Sequence, residues 1–210
     1  MTPDAISRVT SALQARLEAA LVAASDGGKV FVGPLDDAES QAASLTLFPY
    51  RIVPNASLRN TEHRVPSATP PPAYAVYRDA LPLDLYYLVS VGSRPGAPKG
   101  PLLDVLGTLG YAIQELQVNP DLPGATVTSG GTPVSLEPDP VRVTMEPLTT
   151  DEIGRLWALF PTVNYRTSVA YVASPVWIDP PAAPPAAKRV LQDQLRAGAG
   201  DATPATDGTP

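Results

Sequence analysis

His63 is the only histidine in the chain, and there is no cysteine. Imidazole and thiolate are the groups that most readily act as proton shuttles, nucleophiles or zinc ligands near neutral pH. His63 sits in the polar stretch SLRNTEHRVPSATPPPAY, residues 57–74, with no second ligand or base assignable to it. It therefore reads as a solvent or interface residue. Asp36, Asp37 and Glu39 offer carboxylates to a cation, but a calcium loop needs oxygen ligands at alternating positions, so these adjacent acids fit a solvated turn. Asp151 and Glu152 are explained by the positive end of a helix better than by paired acid/base work. Gly27-Gly28-Lys29 lacks the spacing and following Ser/Thr of a phosphate loop and reads as a helix stop and strand entry. Ser7, Ser57 and Ser168 have no identifiable base. The sequence predicts no catalytic residue, no cofactor site, no metal site and no small-molecule substrate.

Composition narrows the class further. A net charge of -6 argues against a generic nucleic-acid binder, since phosphate affinity needs concentrated Lys and Arg. An apolar content of 44% is ordinary for a folded chain and argues against global disorder. No segment approaches the ~20 apolar residues that span a bilayer. The start, MTPDAISRV, lacks the basic region and apolar run of a secretory signal. The expectation is a soluble polypeptide made in the cytoplasm, without a membrane partner. Twenty-six prolines exceed the roughly 5% background and cluster outside the periodic segments.

The elements follow from periodicity. Residues 4–24 predict a helix with Ile6, Val9, Leu13, Leu17 and Leu21 as its stripe, ended by Ser25-Asp26-Gly27-Gly28. Residues 29–32 and 44–53 predict strands, the second disfavoured as a central, uninterrupted one by Pro49. Residues 57–74 predict a surface excursion or the loop of a long hairpin. Residues 81–91 are the clearest strand, with Leu83, Leu85, Tyr87, Val89 and Val91 alternating against a partly apolar face. That pattern suits a strand covered on both sides. Residues 101–118 predict a helix with Leu102, Leu106, Leu109, Ile113 and Leu116 facing the core. A weaker strand starts at Val127, and 141–145 form another with Val141, Val143 and Met145 on one face. The order predicts an α/β (α+β) fold: a mixed, largely antiparallel sheet flanked by two or three helices. A single domain is expected over residues 1–179. Residues 180–210 form a proline-rich tail, with a short possible helix at 186–196 whose apolar contacts are Val190, Leu191 and Leu195. That tail is either inert or a partner-binding arm that orders on contact.

Residues 148–171, LTTDEIGRLWALFPTVNYRTSVAY, combine the strongest local signals. Thr149 and Glu152 have capping-box spacing, and Ile153, Leu156, Trp157 and Phe160 fall on one helical face ahead of Pro161. A strand follows, with Val169, Tyr171 and Ala173 opposite Ser168, Ala170 and Val172. Trp157 reads as a packing residue. Arg155 and Arg166 could present donors to a carboxylate-bearing neighbour. Tyr86, Tyr165 and Tyr171 suit either a core edge or an interface. The candidate interface residues are Arg155, Tyr165, Arg166, Tyr86, Val190, Leu191 and Leu195.

The chain resembles the cap, or tail-terminator, proteins of phage-tail-like contractile injection systems, formerly a domain-of-unknown-function family. The resemblance spans about residues 4–180. It rests on the opening helix, LPLDLYYLVSV at 81–91, LLDVLGTLGYAIQELQVNP at 102–120, and VRVTMEPLTTDEIGRLWALFPTVNYRTSVAYVASPVWID at 141–179. The last run is the most specific: Leu148, Thr149, Asp151, Glu152, Ile153, Arg155, Leu156 and Trp157 match the family's helix. Tyr165, Arg166, Ser168, Val169 and Tyr171 match its strand. The resemblance implies a structural protein, not a catalyst: a helix-flanked sheet domain assembled as a six-fold ring that closes tube and sheath distal to the baseplate. It implies tube and sheath proteins as partners, and a chain that becomes part of an assembled particle open to release from the cell. Another tail component, such as a connector or baseplate-associated protein, is the alternative, with an unrelated enzyme a distant third.

Overall fold

The computed structural model describes residues 4–66, 74–92, 101–122, 127–129, 132–134 and 141–180. Helix α1 (Ala5–Ala23), strand β1 (Val30–Val32), the five-residue helix α2 (Ala38–Ala42) and the long strand β2 (Leu45–Pro54) come first. Strands β3 (His63–Pro66) and β4 (Tyr74–Tyr77) form a hairpin ahead of β5 (Leu81–Val91). Helix α3 (Pro101–Val118) leads to β6 (Asp121–Leu122), and β7 (Val127–Ser129) pairs with β8 (Thr132–Val134). Strand β9 (Val141–Glu146), helix α4 (Thr150–Trp157) and strand β10 (Ser168–Ile178) complete the order.

Six strands make one sheet in the order β1-β2-β5-β10-β9-β6. Only β1 and β2 pair in parallel, so the sheet is mixed and largely antiparallel, as the alternating patterns predict. Its first face carries Leu83, Leu85, Tyr87, Val89 and Val91 of β5 against the buried stripes of α1 and α3. Its second face carries Phe48, Leu88 and Ala170 against Leu35, Trp157 and Phe160. A strand sealed on both sides needs apolar residues at consecutive positions, which is why β5 reads LPLDLYYLVSV.

Pro49 acts as expected. The β2 register shifts between Pro49 and Arg51, leaving Tyr50 as the extra residue of a bulge. Strand β1 pairs only with Leu45, Thr46 and Leu47, so the missing proline donor falls where β2 has one neighbour rather than two. The turn after α1 does more than stop a helix. Asp26 accepts from the Gly28 amide and the Ser44 hydroxyl at 2.8 Å each and from the Thr108 hydroxyl at 2.9 Å, joining α1, β2 and α3. At the far end of β5 the Gly92 amide donates to the Ser44 carbonyl at 2.9 Å. A Cβ on Gly92 would collide with the Ala43 carbonyl, so only glycine closes that approach.

Three expectations need correction. Residues 57–74 are not a bare loop: they contain β3 and the first residue of β4. In α3 the core stripe is Val105, Leu109, Ala112 and Leu116, while Leu102 and Leu106 stay exposed and Ile113 is only partly buried. Apolar residues surround this helix, so several stripes fitted its period, and packing on α1 selected one. Met145 is 49% exposed although Val141 and Val143 on the same strand are buried. The β6 pairing ends at Arg142, and among the described residues no strand borders the outer edge of β9 beside Met145. Among the described residues no helix is long and apolar enough to cross a membrane.

Burial leaves a titration signature. Burial raises the Tyr87 phenol, whose hydroxyl lies 2.9 Å from the Thr10 hydroxyl, to about 12. Burial raises Tyr171 to about 12, and burial together with Glu146 does the same for Tyr50. Folding favours the neutral phenol, so this contribution to stability is intact below the ordinary value of 10.0 and lost as pH rises to about 12. An ultraviolet absorbance titration should show three of the eight tyrosines ionising late, with chemical-denaturation stability falling over the same window.

Candidate assembly interface

The local structure of α4 follows from its sequence. The Thr149 amide donates to the Glu152 carboxylate at 2.8 Å, and the Glu152 amide donates to the Thr149 hydroxyl at 3.3 Å, closing the predicted capping box. Those Thr149 contacts hold the Glu152 carboxyl below its ordinary range. Asp151 and Glu152 occupy the first turn, where the helix dipole favours negative charge. The apolar side of α4 then docks on the second sheet face. Phe160 meets Phe48 edge-on at 5.3 Å, and Ile153 and Leu156 pack around the same cluster.

Trp157 is buried, as a packing residue should be. Its ring sits between two of the candidate interface residues. Tyr165 meets it edge-on at 5.5 Å, and the Arg166 guanidinium lies 5.9 Å from its centroid. Arg166 faces the fold rather than solvent. It donates to the carbonyls of Leu35, Ser40 and Val91 at 3.2, 3.4 and 3.5 Å, tying α4's exit turn to both the α2 region and the end of β5. Burial lowers its affinity for the proton, and the three carbonyls compensate the charge.

The groups left facing outward are different. Arg155 is 81% exposed and makes only an i,i+4 ion pair with Asp151 at 2.9 Å, an arrangement that contributes little to folding. Tyr165 is 62% exposed despite its contact with Trp157. Leu159, 68% exposed, was missed by sequence reasoning; its position one residue before the buried Phe160, off the apolar stripe, is the signal that marks it. Tyr86 lies on the same sheet face as Leu88, with the Arg51 guanidinium 5.0 Å above its ring and Tyr50 at 6.1 Å. Arg155, Leu159 and Tyr165 thus belong to one helix and its exit turn, whereas Tyr86 belongs to the sheet. Val190, Leu191 and Leu195 lie outside the described residues.

His63 overturns its expectation. It is 1% exposed, its Nδ1 lies 2.7 Å from Asp179 Oδ1, and its ring stacks on Trp177 at 4.6 Å and 7°. The polar neighbours in sequence hid a partner 116 residues away. A groove of about 710 Å³ beside this pair is lined by Leu58, Glu62, His63, Pro175 and Trp177. Several of the other candidates for chemistry have structural contacts. Asp37 caps α2 through the Glu39 amide at 2.8 Å, and Glu39 pairs with Lys29 at 2.6 Å. The Ser7 and Ser168 hydroxyls donate to nearby backbone carbonyls. Among the described residues no group of three or more His, Cys, Asp or Glu side chains is placed to hold a metal ion.

Comparison with known proteins adds a family and a fold. Residues 8–192 match the Pvc16 N-terminal domain. The chain is similar to the PVC sheath/tube terminator of an extracellular contractile injection system, in its extended state. That likeness has a TM-score of 0.54 at 16% identity, covering 98% of this chain and 64% of the other. It is also similar to the anti-feeding prophage cap, a tube-terminating cap. There the TM-score is 0.53 at 18% identity, covering 90% of this chain and 60% of the other. The chain therefore spans less than two thirds of either structure's length. No curated protein matches it.

The contrast between the two arginines can be measured. Arg166→Lys should destabilise the fold by about 1–3 kcal/mol, because an ammonium cannot reproduce the planar fork that reaches three carbonyls. Arg155→Ala should stay within about 0.5 kcal/mol of the parent. Trp157→Ala should lose about 3–5 kcal/mol. Urea denaturation of the three variants checks the order; equal losses for the two arginines would contradict this division of labour.

Proposed function

The chain belongs to the Pvc16 N-terminal domain family, and from that premise we propose that it is a structural subunit ending the tube and sheath of a contractile injection particle. The observation that carries the reading is the family match over residues 8–192, supported by a fold shared with a sheath/tube terminator and a tube-terminating cap. We read it as a structural protein rather than an enzyme. Of the groups weighed for chemistry, Ser7, Asp37, Glu39, His63, Glu152 and Ser168 have structural contacts that account for their positions.

A subunit of this kind acts by geometry. A closed ring, here a hexamer of this chain, offers one surface to the last tube layer and no equivalent surface for another. Polymerisation then stops, and repeated weak contacts around the ring become firm through multiplicity. Arg155, Leu159 and Tyr165 are the contact residues we favour on α4 and its exit turn, with Tyr86 on the same side of the sheet. Arg166 contributes by fixing the shape of that turn, and Val190, Leu191 and Leu195 as apolar contacts beyond the domain of residues 1–179. The protein is synthesised in the cytoplasm and becomes part of the particle. A connector or baseplate-associated role is the second reading, separated by the end of the particle at which the chain is found.

Electron microscopy of particles made with and without this protein should show density lost from the end distal to the baseplate, and tubes of uneven length. Mass photometry with purified tube should show a hexamer. Arg155→Glu combined with Tyr165→Ala should weaken binding to particle ends at least about tenfold if the two contacts together supply about 1.4 kcal/mol or more, with a loss of stability no larger than the about 0.5–1.5 kcal/mol of the Tyr165–Trp157 ring contact. A persistent monomer with tube, together with unaltered particle ends in its absence, defeats the proposal.

A further inference from the structure

Arg166 carries a charge that its own chain does not answer. Its guanidinium turns toward the fold, yet the residue is only half-buried. Nη1 donates to the Ser40 and Val91 carbonyls at 3.4 and 3.5 Å, and Nη2 to the Leu35 carbonyl at 3.2 Å. These bonds are long and their acceptors neutral, whereas a carboxylate would sit at about 2.7–2.9 Å. The Nε–H makes no hydrogen bond among the described residues. Burial lowers the group's hold on its proton, and no neighbouring charge raises it. The acids of the surrounding elements are engaged elsewhere. Asp37 caps α2, Glu39 pairs with Lys29, Asp151 pairs with Arg155, and Glu152 caps α4. Asp36, next to Leu35 in sequence, is exposed and forms no ion pair with Arg166.

A second donor at the same turn is in a similar condition. The Trp157 ring lies 5.9 Å from the Arg166 guanidinium. Trp157 is 6% exposed, and its buried Nε1–H has no hydrogen-bond partner. Buried donors without an acceptor are rare in folded chains. Tyr165 stands edge-on against the same ring while 62% exposed. A cation, an unmet donor and an exposed aromatic ring together have the composition of an interface centre. The chain's own charge indicates what meets them. Its 21 acids outnumber the 15 Lys and Arg, for a net charge of -6. Copies gathered in a ring repel one another, and a seam that sets a cation of one against a carboxylate of the next offsets that repulsion and fixes register. Such acids are present on the surface: Asp36 and Asp79 are exposed and make no ion pair among the described residues.

We propose that Arg166 receives an aspartate or glutamate side chain from a neighbouring copy of this chain, its Nε–H donating to the carboxylate at a seam that includes Tyr165. The inference rests on the ring reading and gives that ring a self-contact. Folding already strips part of the guanidinium's water and holds it in place, so the incoming carboxylate meets a preorganised cation. Tyr165 then shields the pair from water.

The variant Arg166→Lys puts an amine in the guanidinium's place. Carbodiimide joins an amine and a touching carboxylate as an amide, with loss of water, and peptide mass spectrometry locates the link. Assembly with purified tube from a mixture of unlabelled and isotope-labelled variant should give a link from residue 166 to an Asp or Glu of the other label. The parent gives a second readout should the lysine variant not assemble. Phenylglyoxal should modify Arg166 at least about tenfold more slowly in the hexamer than in the monomer, with Arg59, exposed ahead of β3, unchanged. A link within one chain, a link to the tube subunit, or a hexamer whose Arg166 reacts as in the monomer overturns this proposal while the ring reading stands. Absence of any hexamer with tube overturns both.

Discussion

The β5–β10 pair is the constraint from which the rest of the architecture follows. It runs antiparallel through the middle of the sheet, with β2 on one side and β9 on the other. Both of its faces are apolar: Tyr87, Val89, Tyr171 and Ala173 on one, Leu88 and Ala170 on the other. Leaving either face in water would expose a large apolar area at about 25 cal/mol per Å², so two covering layers are required. The long helices α1 and α3 supply the first. The second is met by the short α4 and its exit turn, which explains why that segment concentrates so many local signals. A helix of eight residues cannot hold itself together in water, and it persists here through its cap, Trp157, Phe160 and the Arg166 fork.

Local periodicity made much of this legible. The β5 alternation, the α1 stripe, the Thr149–Glu152 box and the two-faced pattern of β10 all follow from neighbours within one or two turns. What stayed hidden depended on distant partners. His63 looked solvated because its own neighbours are polar, while its burial depends on Asp179 and Trp177. Asp26 looked like a turn residue, and its links to Ser44 and Thr108 exist only once three elements meet. The α3 stripe was ambiguous for the opposite reason, an excess of apolar positions. The same excess leaves one of its faces bare.

The residues that carry the family resemblance divide by role when their surroundings are known. Thr149, Glu152, Trp157, Arg166 and Ser168 serve the monomer's own turn and cap. Arg155 and Tyr165 remain available outside, beside Leu159, which the motif does not contain. A motif of this kind identifies a fold and says little about contacts. Most of its chemistry is spent holding α4 in place.

The stacked His63–Trp177 pair and the His63–Asp179 contact fasten the β3–β4 hairpin across the last residues of β10, where the chain leaves the sheet. Tension applied at residue 180 would run along the axis of a central strand bonded to β5 and β9 on its two sides. Such a load shears many hydrogen bonds at once instead of peeling them one by one. The hairpin clamp keeps the force from lifting the strand end out of the sheet. The exit is thereby a mechanical anchor as well as a connection.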